Sequence, residues 1–340
     1  MANERSTITS DNGDERPWSD LNHDLLLLVM MQLGVIDFLA FSGVCKPWRL
    51  IALSNKNKFL VSRPPMSLSF STNANETECC LEDFEGRKFK TIVPHSAERT
   101  CIGVTCGYLI LFGVKPRDFW LVNPITRHEL HFPNVPFNYS YVCKICRAIL
   151  VFSPSLSKWV FVFLIKSYGK IWFSIADKRE WTHVSNISYI CDLYAFKGKV
   201  YTLHDHYSDY SISELRLYPT PKLTLLESID FQNPFFQRPL FVSSGENLYV
   251  MDLYVGYQYK IYYELDFDKM KCVWREKTGE KYACFFSGLS YVAAIILIEP
   301  GSNLHTQYKR YARYGVTTRS GKEKHFYAKM WYFFHEFFNE

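Results

Sequence analysis

The run WVFVFLI at residues 159–165 constrains the fold of this chain more than any other segment. Its side chains alternate as in a β-strand, so that Trp159, Phe161 and Phe163 point to one face and the aliphatic side chains to the other. A strand that is apolar on both faces must be covered on both sides. No helical pattern in this part of the chain is long enough to cover it. The sequence therefore predicts that sheets pack on sheets.

Similar runs occur from residue 66 onward, separated by Gly, Pro, Asn and Asp. The composition agrees, because aromatic residues form 17% of the chain and favour pleated, half-buried surfaces. The sequence thus predicts an all-β region. Its other strand-like runs are GYLILF (107–112), FWLVN (119–123), KIWFSI (170–175), GKVYTL (198–203), NLYVMDL (247–253) and YKIYYELDF (259–267).

A weak internal repeat indicates how these strands are grouped. Roughly 270 residues in four-stranded units of about 40–45 residues give about six units, which favours a β-propeller of about six blades. We expect the segment AKMWYFFHEFF to close the ring against a strand near MSLSFS. The alternative is an irregular pair of β-sandwiches. The repeated features are Gly107, Gly198 and Gly245 before apolar strands, and the segments 122–130, 175–181 and 265–274.

Residues 18–52 have a different, helical pattern. Asn22 is suited to cap a first helix, with Asp24 in the first turn where the helix dipole favours negative charge. The helix is predicted to continue over Leu25–Leu33, and Gly34 suits its end.

Two more short helices are predicted after this one. Asp37 is expected to cap a helix from Phe38 to about Cys45. Pro47 fits the first turn of a third helix, which runs from Trp48 to about Leu53. The polar residues 55–58 then indicate a surface turn.

The first helix is apolar on every face over Leu25–Met31. If half of these side chains stayed in water, the cost would approach about 5–10 kcal/mol, at roughly 1.5–3 kcal/mol each. Such a cost rivals the stability of a whole domain. Either the β region or another protein is therefore expected to cover this helix.

This stretch resembles an F-box, the adaptor-binding module of SCF ubiquitin ligases. Asn22 departs from the family pattern, which usually has Pro there; Asn still caps a helix, but a proline contact to the adaptor would be lost. The residues that carry the resemblance are Leu21, Asp24, Leu25, Leu26, Val29, Leu33, Asp37 and the segment Val44-Cys45-Lys46-Pro47-Trp48-Arg49.

The resemblance implies that this module docks on an SKP-type adaptor and, through it, on a cullin scaffold. The competing interpretation is an ordinary helical cap packed on the β region. The adaptor-binding candidates implied by the resemblance are Leu21, Asn22, Leu25, Leu26, Val29, Leu33, Val44, Cys45 and Trp48.

The β region is also similar to a known family. CIGVTCGYLILFG (101–113) and FWLVNPITRHELHFP (119–133) resemble the opening of the kelch-like domain in a large family of plant F-box proteins. Within this segment, Asn123 and Thr126 are expected to tie a turn together. With a polar N-terminal tail and the Pro-rich segment Arg63-Pro64-Pro65, the chain is expected to contain a disordered tail (1–16), an F-box (17–60), a linker (61–66) and a kelch-like β-propeller (67–338).

Candidate metal and redox groups are isolated. Cys143 and Cys146 have the spacing of a metal knuckle, but no second pair follows at zinc-ribbon distance, which favours structural thiols. His204 and His206 share one face of an extended segment with Asp209 nearby, yet no third ligand is evident. A polar loop is the favoured interpretation.

Catalytic sequence patterns are lacking as well. The sequence has no Gly-x-Ser-x-Gly elbow and no phosphate-binding Gly-rich loop. We therefore expect a non-catalytic chain with no cofactor and no metal.

Charge and hydropathy indicate the environment. The net charge of +5 is mild, and the basic segment 308–329 reads as a half-exposed strand, so neither nucleic acid nor membrane is an expected partner. No apolar run reaches the 18 residues of a membrane span, and the polar N-terminus does not resemble a signal peptide. Ten cysteines are expected as reduced thiols in the cytoplasm or nucleus.

Together these expectations describe a substrate-recognition subunit of an SCF-type ubiquitin ligase, in which the propeller holds an unidentified target protein. The rivals are an adaptor-bound scaffold without ubiquitin transfer and, from a different class, a β-propeller enzyme with an incidental helical cap.

Overall fold

A computed structural model describes most of the chain and divides it into two compact units, Met1–Arg63 and Pro64–Glu340. The described residues are 18, 21–61, 63, 65–73, 76–83, 85–136, 145–165, 169–184, 189–206, 209–226, 239–244, 247–252, 262–266, 271–275, 282–287, 293–297, 324–328 and 330–332. The first unit is helical and the second is built from strands, as predicted.

The helical unit contains α1 (His23–Gln32), α2 (Val35–Ser42) and α3 (Lys46–Val61). The predicted cap of α1 is confirmed, because the side-chain oxygen of Asn22 accepts a hydrogen bond from the Asp24 N–H at 2.9 Å. None of the described helices has the length and apolar character needed to span a membrane.

Two local predictions in this unit are wrong. Gly34, not Asp37, is the N-cap of α2, and Asp37 lies in the first turn. Residues 55–58, predicted as a turn, belong to α3. The helix continues because Phe59 and Leu60, just beyond this polar stretch, are buried in the unit's core. Tertiary packing thus overrides the local preference of Asn and Lys.

The core of the helical unit is aromatic. The rings of Phe38 and Phe59 stack with centroids 4.3 Å apart, and the Arg63 guanidinium lies 4.8 Å from the Phe59 centroid. Arg63 also donates to the carbonyl of Met31. The buried apolar side chains are Leu26, Met30, Phe38, Phe41, Ile51, Ala52, Phe59 and Leu60.

The described strands of the β unit form five sheets, numbered here along the chain. Sheet I contains β1 (Met66–Asn73), β2 (Glu76–Glu82) and β3 (Lys88–Ile92). Sheet II contains β4 (Arg99–Thr105), β5 (Tyr108–Val114), β6 (Arg117–Val122) and β7 (Glu129–Phe132). Sheet III contains β8 (Ile145–Ser153), β9 (Lys158–Ile165), β10 (Lys170–Ile175) and β11 (Thr182–Val184). Sheet IV contains β12 (Ile190–Phe196), β13 (Lys199–His206), β14 (Asp209–Arg216) and β15 (Lys222–Leu225).

Sheet V has seven strands in the order β19-β18-β17-β16-β21-β20-β22. Its first four are antiparallel neighbours along the chain, and parallel pairing of β16 with β21 adds the rest. The strands are β16 (Pro239–Ser244), β17 (Asn247–Asp252), β18 (Tyr262–Asp266), β19 (Lys271–Arg275), β20 (Tyr282–Ser287), β21 (Ala293–Leu297) and β22 (Lys324–Ala328). The number of blades stays a prediction.

A strand from near the C-terminus completes sheet I. β23 (Met330–Tyr332) pairs with β1 in antiparallel register, and Ser67 lies opposite Trp331. The predicted pairing of the AKMWYFFHEFF segment with the MSLSFS segment is thereby confirmed.

Strand β9, which contains the WVFVFLI run, is covered by sheets on both sides. Phe161 and Phe163 pack in one core with sheet II side chains such as Phe119. Val162 and Leu164 pack in a second core that includes side chains of sheet IV. All four β9 side chains are 0% exposed, so the predicted packing of sheets on sheets is confirmed.

A buried ion pair joins three of the sheets. Arg147 on β8 donates from Nε and from one terminal nitrogen to the two carboxylate oxygens of Asp192 on β12, both at 2.7 Å. Asp192 in turn accepts the backbone N–H of Phe241 on β16 at 2.6 Å. Successive sheets are therefore tied by polar groups as well as by apolar packing.

The turn between β6 and β7 is organised by Asn123, as predicted. The Asn123 side-chain oxygen accepts the backbone N–H groups of Ile125 and Thr126 at 3.0 and 2.9 Å. The Thr126 hydroxyl accepts a longer bond, at 3.4 Å, from the His128 N–H.

We expect Asn123→Ala to lower the free energy of unfolding of the β unit by about 1–3 kcal/mol. The substitution removes a buried side-chain oxygen and leaves the Ile125 and Thr126 N–H groups without their acceptor. Chemical denaturation of the full chain measures this change. Thr126→Ala is the matched control and should cost less, since it removes one long bond. Equal losses in the two variants would contradict the role given to Asn123.

Candidate partner-docking surface

The first helix presents apolar side chains on two different faces. Leu26 and Met30, four residues apart, point into the core of the helical unit. Leu25, Leu28 and Val29 form a separate row at helical spacing and are 54%, 63% and 47% exposed. One helix thus serves both as core and as a surface that the unit does not cover.

A second part of this surface surrounds the junction of α2 and α3. Val44 is exposed, and Cys45 and Trp48 are half-buried. The Trp48 indole is fixed, because its N–H donates to the Trp18 carbonyl at 3.1 Å and its ring lies 4.6 Å from that of Phe41. The aromatic side chain is therefore held in place at the edge of the surface.

The third helix adds two apolar side chains that the sequence prediction missed. Leu50 and Leu53 are exposed, although their neighbours Ile51 and Ala52 are buried. The sequence signal that could have found them is the helical spacing of Ile51 and Phe59, which form a buried stripe on α3. Leu50 and Leu53 lie on the opposite face of the helix. Because the helix was predicted to end near Leu53, Phe59 was not recognised as part of the same helical face.

The predicted adaptor-binding residues fall into three groups. Leu21, Asn22, Leu25, Val29 and Val44 are exposed, whereas Leu33, Cys45 and Trp48 are half-buried. Leu26 is a correction: it is 1% exposed and belongs to the core. The family pattern pairs it with Leu25, but adjacent residues on a helix point in directions about 100° apart.

The geometry of this surface suits a protein partner. Large apolar side chains occupy it, and the exposed charges of Asp24, Lys46 and Arg49 lie on the same helices. Complete burial of each exposed leucine would contribute up to about 1.5–3 kcal/mol. Exposed apolar side chains accompanied by charged residues are compatible with a protein interface.

Candidate metal and thiol chemistry has little support in the described part of the β unit. No cluster of three metal-ligating side chains occurs there. His204 bonds Thr202 at 2.9 Å and His206 bonds Ser211 at 3.2 Å. Burial raises the pKa of the Cys101 thiol to about 12, which disfavours the thiolate. Cys143 lies outside the described residues, as does the side chain of Cys146.

Two family models match the chain. The model described as KIB1-4 beta-propeller matches residues 79–292, which is more than half of the sequence. The model described as F-box domain matches residues 18–60, the segment that carries the exposed apolar surface.

Individual relatives are more distant. F-box protein At1g10110 of Arabidopsis thaliana is 28% identical over 133 residues, which cover 39% of this chain and 31% of the relative. The chain thus spans about a third of the length of that curated protein. A structural genomics protein of unknown function from Bacteroides thetaiotaomicron has 8% sequence identity and a TM-score of 0.31, over 65% of each chain.

Proposed function

Because the chain belongs to the KIB1-4 beta-propeller family and carries an F-box domain, we propose that it is the substrate-recognition subunit of an SCF-type E3 ubiquitin ligase. In this role the helical unit binds an SKP-type adaptor, and the adaptor connects it to a cullin scaffold. The β unit binds the target protein. The chain acts by tethering, since holding target and ubiquitin-loaded enzyme in one complex raises their effective concentration.

The observation that carries this proposal is the uncovered row formed by Leu25, Leu28 and Val29 on α1. The opposite face of α1 already supplies the core of the unit, so folding does not need this row. Its apolar side chains gain stability only when another surface removes them from water. An adaptor is the partner class that the F-box match supports.

The remaining contacts are proposed from the F-box pattern and from their exposure. Leu21 precedes α1, Val44 and Cys45 lie directly before α3, and Trp48 lies in its first turn. Leu33 is half-buried at the end of α1. We add Leu28, Leu50 and Leu53 to the proposed surface because they are exposed apolar side chains on the same helices, and we remove Leu26 because it is buried.

Replacing Leu25 and Val29 together with Gln is expected to weaken adaptor binding by about 100-fold, since each buried apolar side chain contributes about 1.5 kcal/mol. Gln is a good helix former, so α1 should keep its structure. The measurement is quantitative co-purification of the full chain with a plant SKP-type adaptor. Ile92→Gln with Leu225→Gln is the matched control, because these two apolar side chains are similarly exposed, at 49% and 59%, but lie in the β unit.

The same preparations separate the rival functions. Failure of the unmodified chain to capture the adaptor would contradict the proposal and favour a β-propeller enzyme with a helical cap. Adaptor capture without ubiquitin transfer to proteins bound by the chain, in a reconstituted ligase, would favour a scaffold.

A further inference from the structure

A cleft of about 490 Å³ lies between sheets II and III of the β unit. One wall comes from β6, β7 and the residue after β7, and the other from the turn that connects β10 to β11. The side chains that carry the argument are Trp120, Glu129, His131, Pro133, Lys178 and Arg179.

Two of the lining residues, Trp120 and His131, belong to a stack of three rings. The Trp120 indole lies between two imidazoles, with centroid distances of 3.5 Å to His95 and 4.3 Å to His131. The His131 side chain is still 39% exposed, so it offers an open surface to a ligand. The stack thus provides a flat, partly apolar contact area.

A buried carboxylate fixes Trp120 and His131. Asp118 accepts hydrogen bonds from the Trp120 indole N–H and from Arg99, and its carboxylate lies 3.1 Å from His131 Nε2. Asp118 is 2% exposed. Gly113 leaves the necessary space, because a Cβ there would lie 2.4 Å from an Asp118 carboxylate oxygen. The aromatic contact area is therefore preorganised, which reduces the entropy cost of binding.

The opposing turn is also anchored. The buried Ser174 hydroxyl donates to the Glu180 carbonyl at 2.8 Å, and the Lys178 N–H donates to the Ile175 carbonyl at 3.0 Å. Lys178 and Arg179 are exposed at the tip of this turn. These hydrogen bonds fix the backbone positions of Lys178 and Arg179, while their side chains are exposed to solvent.

The cleft is lined by two carboxylates, Glu129 and Asp177, and by two cations, Lys178 and Arg179. Asp177 pairs with Lys158 Nζ at 3.1 Å, and Glu129 lies 2.9 Å from His95 Nε2, a contact that is an ion pair only when the imidazole is protonated. For Lys178 and Arg179, no ion pair occurs within the described part of the chain. Both cations can therefore form ion pairs with a ligand that enters the cleft.

We infer that this cleft binds an acidic segment of the target protein. Carboxylates of that segment pair with Lys178 and Arg179, and one of its apolar or aromatic side chains packs against His131, Trp120 and Pro133. This inference rests on the proposed function, since it assigns the target-binding role of the β unit to one cleft. Charge complementarity supplies specificity and speeds association, and the ring stack supplies the anchor.

The test is fluorescence anisotropy with a labelled peptide in which glutamate alternates with glycine around one central tyrosine. The full chain should bind this peptide and should not bind the matched peptide with glutamine in place of glutamate. Lys178→Glu with Arg179→Glu should weaken binding by at least about tenfold, which corresponds to about 1.4 kcal/mol. Both residues are exposed, so folding should be unaffected.

The matched control is Arg216→Glu with Lys222→Glu, which changes the net charge equally at exposed positions paired across β14 and β15. It should leave the affinity unchanged. Equal weakening by both double variants, or binding of the glutamine peptide, would overturn the inference.

Adaptor co-purification of the same samples keeps the two proposals apart. Peptide binding that depends on Lys178 and Arg179, in a chain that does not capture the adaptor, would support this cleft and contradict the ligase function. Adaptor capture without peptide binding would support the ligase function and contradict the role given to this cleft.

Discussion

Replacing Arg147 with Met is expected to lower the free energy of unfolding of the β unit by about 3–5 kcal/mol, because it leaves a buried carboxylate without its counter-charge. Arg147 and Asp192 are 2% and 7% exposed in their side chains. Asp192 would keep only the Phe241 N–H as a described hydrogen-bond donor. A loss of this size is a large part of the total stability of a typical domain.

Denaturant unfolding of the full chain measures this loss. Lys199→Met is the matched control, because Lys199 pairs with Glu214 at 2.9 Å on the surface and such pairs contribute no more than about 1 kcal/mol. Adding Asp192→Leu to Arg147→Met should recover part of the stability, since the unpaired charge is then gone. A loss in Arg147→Met no larger than in the control would show that water or another group satisfies Asp192.

Phe59→Ala is the second large effect, and we expect it to cost about 3–5 kcal/mol, the usual loss for a buried phenylalanine. Phe59 is 0% exposed and contacts both the Phe38 ring and the Arg63 guanidinium. A unit of about 60 residues has little stability in reserve. The helical unit should therefore unfold locally and lose adaptor binding, although Phe59 is not on the proposed surface.

Hydrogen exchange followed by mass spectrometry of the full chain reports this unfolding directly. Amides of α1, α2 and α3 should lose protection in Phe59→Ala, while amides of the β unit should not. Lys58→Ala is the control, because Lys58 is exposed beside Phe59 on the same helix. Preserved helix protection together with lost adaptor binding would place Phe59 at the interface instead of in the core.

The sequence predicted the strands better than the helix ends. A strand that is apolar on both faces, such as β9, has one way to bury its side chains, so Phe161 and Val162 could be assigned to opposite cores in advance. The end of α3 depended on Phe59 and Leu60, which bury themselves against helices that lie earlier in the chain. Local preferences of Asn55 to Lys58 contain no information about that contact.

The proposed docking surface was predictable in composition but not residue by residue. The family pattern marks Leu25 and Leu26 equally, yet only their angular positions relative to α3 decide which one is exposed. Leu50 and Leu53 lie outside the motif and emerge only once the buried stripe of α3 is known. The cleft that contains Lys178 and His131 has no sequence signal at all, because two sheets must meet before it exists.

Because β23 completes sheet I, this sheet cannot be finished until almost the whole chain has been synthesised. The Phe38 ring and the Arg63 guanidinium, which contact the Phe59 ring, lie within the first 63 residues, whereas Ser67 must wait for Trp331 to leave the ribosome. At ordinary elongation rates this interval is roughly 10–50 seconds. The segments that pair in the helical unit are therefore synthesised well before the last strand of sheet I, so the proposed adaptor surface can form while most of the β unit is still being made.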